Sequence, residues 1–168
     1  MANDDNLAGM TDEKLWYLDI GLPVLLRHGR NTYGVAMRRA LEEAGYDDIP
    51  GNGLYVIGGL ALGVPDIPLG QLIKELRISK QAAGQLVDTL VTRGYLERSA
   101  DKDDRRKLTV TLTERGKAAA EVQKAGREKV DAQLLACVGQ EDIERTRRTL
   151  AVLCDIGKQA EGEPDDEH

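Results

Sequence analysis

With 168 residues, 41% hydrophobic and 31% charged, the chain has the composition of a folded protein with room for one domain of ordinary size, and excludes a disordered or fibrous one. A net charge of −6 argues against a protein that binds nucleic acid over its whole surface, and six aromatic residues with no Phe leave a core of Leu, Val, Ile and Ala. The longest uncharged run, residues 49–65, is broken by five glycines and falls short of the roughly 20 apolar residues of a bilayer span. The acidic start lacks the features of a secretory signal. Cys137 and Cys154 form no CxxC pair, so a reducing, cytoplasmic location is expected and a redox role for either stays open.

In chain order, Thr11 caps a first helical region in which Gly21 and Pro23 interrupt the early turns. A stripe of Leu22, Leu25, Leu26, Tyr33, Val35, Met37 and Leu41 continues to a stop at Gly45. "GNGLYVIGGLAL" reads as a short buried helix whose glycines admit close neighbours. It fits neither phosphate-binding fingerprint: Val56 stands where the dinucleotide loop needs glycine, and Gly59 and Leu60 stand where the P-loop needs Lys and Ser or Thr.

"IPLGQLIKELRI" and "SKQAAGQLVDTLVTRG" are two short helices joined by a tight corner, a helix-turn-helix. In the second, Ser79 is the N-cap, Ala83, Leu86, Val87 and Leu90 face inward, and Gly94 ends the helix. "YLERS" and "KLTVTLT" then read as two strands around a charged turn. Thr113 caps a long helix to Val138, and residues 142–159 form another with Ile143, Thr146, Leu150, Leu153 and Ile156 or Gly157 on one face. The acidic end, 161–168, reads as disordered.

The turn "DKDDRRKLTVTL" begins like a calcium loop, but Arg105, Arg106 and Leu112 stand where an oxygen ligand, a glycine and a bidentate Glu are required, so no metal is expected. His28 and His168 are the only histidines, and no nucleophile, base or paired-carboxylate arrangement emerges; no catalytic residue and no cofactor is nominated. The charge distribution is more telling. Residues 70–117 hold 11 basic and 7 acidic residues, a net of +4 on an otherwise acidic chain. Along the second helix, Ser79, Lys80, Gln81, Gln85 and Thr89 form an outward polar face, and such side chains hydrogen-bond base edges and phosphates. Gly84, unfavourable within a helix, is explained either by close packing or by close approach to DNA.

The run from "PLGQLIKELRISKQAAGQLVDTLVTRGYLER" through "DKDDRRKLTVTLTERG" resembles the winged helix-turn-helix of the MarR family of bacterial transcriptional regulators, and the wing followed by "LTERG" is the most specific part. The resemblance implies a mainly α (α+β) fold: an N-terminal dimerisation region (11–50), a winged DNA-binding domain (51–117) and C-terminal dimerisation helices (118–160). It implies a homodimer on double-stranded DNA, with the second helix in the major groove and the wing in the minor groove. Arg106 aligns with the family's wing arginine; Lys102 and Arg105 lie beside it, and Asp101 and Asp104 orient the guanidinium groups. A small-molecule effector would sit between the dimerisation helices and the winged domain, where Trp16, Tyr17, Tyr33 and Tyr55 are the candidate lining. The reactive cysteine that many members carry early in the first helix has no counterpart here. A winged-helix interaction module, or a small-molecule-binding protein that does not bind DNA, is the alternative.

Overall fold

The computed structural model describes residues 16–61, 78–100 and 108–162. The first helix of the helix-turn-helix and the tip of the wing lie outside these residues. The described chain forms two compact units, residues 21–130 and, separately, residues 16–20 with 131–162. It is predominantly helical, with one two-stranded antiparallel sheet.

Helix α1, Leu22–Glu43, opens on Gly21 with Pro23 in its first turn, where a missing N–H costs nothing. Gly21 and Pro23 therefore begin this helix. It ends at Gly45 (φ 80°), where Gly45 N–H donates to the Glu42 carbonyl and Tyr46 N–H to that of Leu41 at 2.8 Å. This paired arrangement is a Schellman motif. Helix α3, Lys80–Thr92, closes in the same way: Gly94 (φ 75°) donates to Val91, and Tyr95 to Leu90 at 2.9 Å. Thus "LEEAGY" and "LVTRGY" share a leucine, a left-handed glycine and a tyrosine in the same roles. The tyrosines come together, their ring centroids 6.2 Å apart.

Helix α2, Gly53–Ala61, buries Leu54, Val56 and Ile57, whereas Ala61 is exposed, so it is buried on one side rather than all round. Gly53 fits against Ile49, Pro50 and Leu90, each within 3.2 Å of where a β-carbon would stand. The inward face of α3 is Ala83, Leu86, Val87 and Leu90, all buried. Strands β1, Leu96–Ala100, and β2, Leu108–Leu112, pair Leu96 with Leu112 and Arg98 with Val110. On the other face Ser99 meets Thr109 at 2.8 Å, and Thr111 donates to Glu97. Tyr95, Leu96 and Val110 join Met37, Leu41, Ile57 and Leu90 in one core.

Helix α4, Glu114–Gly162, carries a non-helical residue at Gly139 (φ 77°). Its first turn is capped by Thr113, whose hydroxyl oxygen accepts from Gly116 N–H at 3.1 Å. Gly126 lies against α1, a β-carbon there falling 3.0 Å from the Ala36 carbonyl and from the Ala40 methyl. Within the smaller unit, Leu134, Leu135, Val152, Leu153 and Ile156 are exposed, Ile156 at 58%.

Candidate nucleic-acid interface

Helix α3 presents its polar residues away from the core. Ser79, Lys80, Gln81 and Gln85 are exposed at its first turns, and Ser79 Oγ accepts from Ala82 N–H at 3.1 Å, which fixes where the helix starts. Thr89 is half-buried, its hydroxyl donating to the Gln85 carbonyl at 2.8 Å. A β-carbon at Gly84 would meet nothing within 4 Å among the described residues.

Among the described residues the wing ladder is tied to its neighbours at two points. Arg98 on β1 pairs with Asp88 on α3, both exposed. The second anchor is larger and was not expected from the sequence. Asp48, in the loop after α1, accepts a hydrogen bond from the Tyr95 hydroxyl, while Arg115 Nη2 lies 3.3 Å from Asp48 Oδ1 and donates to the Tyr95 oxygen at 2.9 Å. Arg93 donates to the Asp48 backbone carbonyl. The Arg115 guanidinium sits 4.6 Å from the Tyr95 ring centre and 5.9 Å from that of Tyr46.

The electrostatics follow from this geometry. The Tyr95 hydroxyl, opposed by partial burial and helped by Arg115 and Arg93, holds the Asp48 carboxyl below its ordinary value. Burial, reinforced by the bond to Asp48, pushes the Tyr95 phenol up. Arg115 is raised, chiefly by its bond to Tyr95. All three keep the charge states that hold the contact together near neutrality.

"LTERG" thereby acquires a physical meaning. Thr113 caps α4 and also donates to the Gly94 carbonyl at 2.5 Å; Arg115 reaches Asp48 and Tyr95. Gly116 abuts the Tyr95 carbonyl, which would stand 2.1 Å from a β-carbon. The repeated Leu-x-x-x-Gly-Tyr was the signal available in the sequence, and only its glycines were used there, as helix stops.

A cavity of about 230 Å³ lies between α2 and α4, lined by Gly58, Ala61, Ala120, Glu121, Gln123, Lys124 and Arg127. The four aromatics expected to line an effector site divide between the two units. Trp16 and Tyr17 stack on each other at 3.8 Å in the smaller unit. Tyr33 and Tyr55 pack on the core of the larger one, with the Arg30 guanidinium 4.4 Å above the Tyr55 ring. Lys102, Arg105, Arg106, Asp101 and Asp104 lie outside the described residues. Among the described residues no cluster of three His, Cys, Asp or Glu is placed to hold a metal, and no helix is long and apolar enough to cross a membrane.

A helix with a polar outer face, closed by a capped turn onto a two-stranded ladder and followed by a long helix, defines a winged helix protein. Residues 48–107 match the family model described as MarR family. The crystal structure of Streptococcus pneumoniae FabT in complex with DNA is similar at 21% identity, over 83% of this chain and 96% of that one, with a TM-score of 0.68. A probable transcriptional regulator from Pseudomonas aeruginosa is 26% identical over 81% and 98%, with a TM-score of 0.60. The S. aureus MepR–DNA complex is 18% identical over 81% and 98%, with a TM-score of 0.64. No curated protein shows significant similarity to the sequence. Residues 48–107 thus carry the pattern of the MarR family model, and the chain shares the fold of these solved structures.

Proposed function

We propose that the protein is a DNA-binding transcriptional regulator, a ligand-responsive repressor that acts as a cytoplasmic homodimer on a palindromic operator. The observation that carries this reading is the exposed first two turns of α3, with Ser79, Lys80, Gln81 and Gln85 facing outward beside the wing ladder. In related structures that contain DNA, FabT and MepR, the same fold is the DNA-bound partner.

Ser79 and Lys80 engage phosphates, Gln81 and Gln85 read bases, and Thr89 stands at the edge of the contact. Lys102, Arg105 and Arg106 extend the contact into the adjacent minor groove, with Asp101 and Asp104 orienting them. The exposed apolar residues of the α4 end, Leu153 and Ile156 among them, support dimerisation. Two recognition helices must sit about one helical turn, roughly 34 Å, apart, so a small ligand that changes their spacing releases DNA. The effector site lies at one of the aromatic pairs, Trp16 with Tyr17 in the smaller unit or Tyr33 with Tyr55 in the larger, or in the cavity between α2 and α4.

The deciding experiment is a titration of the dimer against the duplex immediately upstream of its own coding sequence, at several salt concentrations. A steep fall of affinity with salt is expected, and Arg106→Ala reduces the slope by about 1. Absence of salt-dependent binding, with a protein partner instead, would replace the regulator by an interaction module.

A further inference from the structure

Tyr95 occupies the single residue between the Schellman turn that ends α3 and the first residue of β1, and it is fully buried. Its hydroxyl sits between Asp48 and Arg115, so three distant segments of chain converge on one phenol: the loop after α1, the α3–β1 turn and the first turn of α4. The return strand is held at the same place. Thr113 N–H donates to the Tyr95 carbonyl at 3.1 Å, and its hydroxyl donates to Gly94 and, more weakly, to Tyr95. Both strands of the wing ladder are therefore held at their shared root by this residue. The other tie, Arg98 with Asp88, is exposed and of a kind worth little.

We propose that Asp48, Tyr95 and Arg115 form a positioning centre that sets the wing against the recognition helix and so governs how well operator DNA is distinguished from other DNA. The inference rests on the DNA-binding reading and deepens it. Nonspecific binding needs only cations near phosphates, whatever the angle between α3 and the wing. Specific binding needs base edges in one groove and the wing in the next to be met at once, so an error in that angle weakens specific contacts alone. None of the three residues has to touch DNA for this, and Arg115 is already engaged by Asp48 and Tyr95. They are positioning residues.

Tyr95→Phe removes the hydroxyl and leaves the buried ring. The full-length dimer is titrated with the duplex upstream of its own coding sequence and with a scrambled duplex of equal composition, and hydrogen exchange of the β1–β2 amides is followed without DNA. The expected result is a roughly 10-fold fall in the ratio of the two affinities, scrambled-duplex affinity unchanged within about 2-fold, and about 10-fold faster ladder exchange. An unchanged ratio, or equal losses on both duplexes, overturns the specificity role. Unchanged exchange overturns the positioning role whatever the DNA result. If the parent protein binds neither duplex in a salt-dependent way, the regulator reading fails and exchange alone decides the positioning role. Should Tyr95→Phe not fold, Asp48→Asn carries the same measurements. In the double variant the effects are expected to be non-additive; additivity would show that the two residues act independently.

Discussion

Gln123 of α4 donates from Nε2 to the backbone carbonyl of Leu54 in α2 at 2.9 Å, and it reaches that carbonyl only because residue 58 has no side chain. The same amide nitrogen lies 3.5 Å from Met37 Sδ, so one buried side chain touches α1, α2 and α4. Its oxygen, in a residue only 4% exposed, has no hydrogen-bond partner among the described residues. A β-carbon at position 58 would stand 2.6 Å from Nε2. Gly58→Ala is therefore expected to destabilise the protein by about 1–3 kcal/mol through the displaced amide. Gln123→Met, which also removes the unsatisfied oxygen, should cost less than about 1 kcal/mol. Urea midpoints of the two variants give the comparison, and the reverse order would mean that the Gln123 bond dominates.

Ser79→Ala removes the side-chain acceptor that caps the start of α3. The expected loss is about 1 kcal/mol of stability. Operator affinity should fall by more than this predicts, because the first turn of the helix frays where it meets DNA; a fall no larger than the stability change would confine Ser79 to capping.

Gln81 and Gln85 are exposed one turn apart on α3. Replacing either with Ala is expected to relax sequence preference at one base position by roughly 1–3 kcal/mol while leaving nonspecific affinity almost unchanged. Binding to a library of single-base operator variants measures this. A uniform loss across the library would make them phosphate contacts.

The depressed Asp48 carboxyl gives a pH signature. A carboxyl lowered in the folded state contributes stability above its unfolded value, near 3.8, and loses it as pH falls through the lower folded value. The parent protein should thus exceed Asp48→Asn in stability at pH 7, with the two curves converging below about pH 4. Thermal melting across pH 3–7 tests this; a difference that persists at the acid end would assign the effect to shape rather than charge.

The helices were legible because their signals are local. The inward face of α3 could be read from spacing alone, and Gly45 and Gly94 marked two helix ends. Two helices were expected on either side of residue 139, and Gly139 is non-helical. The Asp48–Tyr95–Arg115 contact was not legible, since Tyr95 and Arg115 stand 47 and 67 residues from Asp48 along the chain and none breaks a local rule. Tyr95 read as a strand residue with an ordinary fate, and Arg115 as part of a motif with no stated task. Gln123 was equally silent, because a glutamine within an amphipathic helix announces solvent and only the gap over Gly58 turns it inward.

The ion pairs and hydrogen bonds around the wing alter the count of ions that DNA can displace. Of the 11 basic residues between positions 70 and 117, Arg93, Arg98, Arg115 and Lys117 are tied to Asp48, Asp88, Asp48 and Glu114. If all four stay tied, no more than the remaining seven can displace counterions from one half-site. The slope of log affinity against log salt per protomer would then be no steeper than about −6, whereas a naive count of positive charge would give about −10.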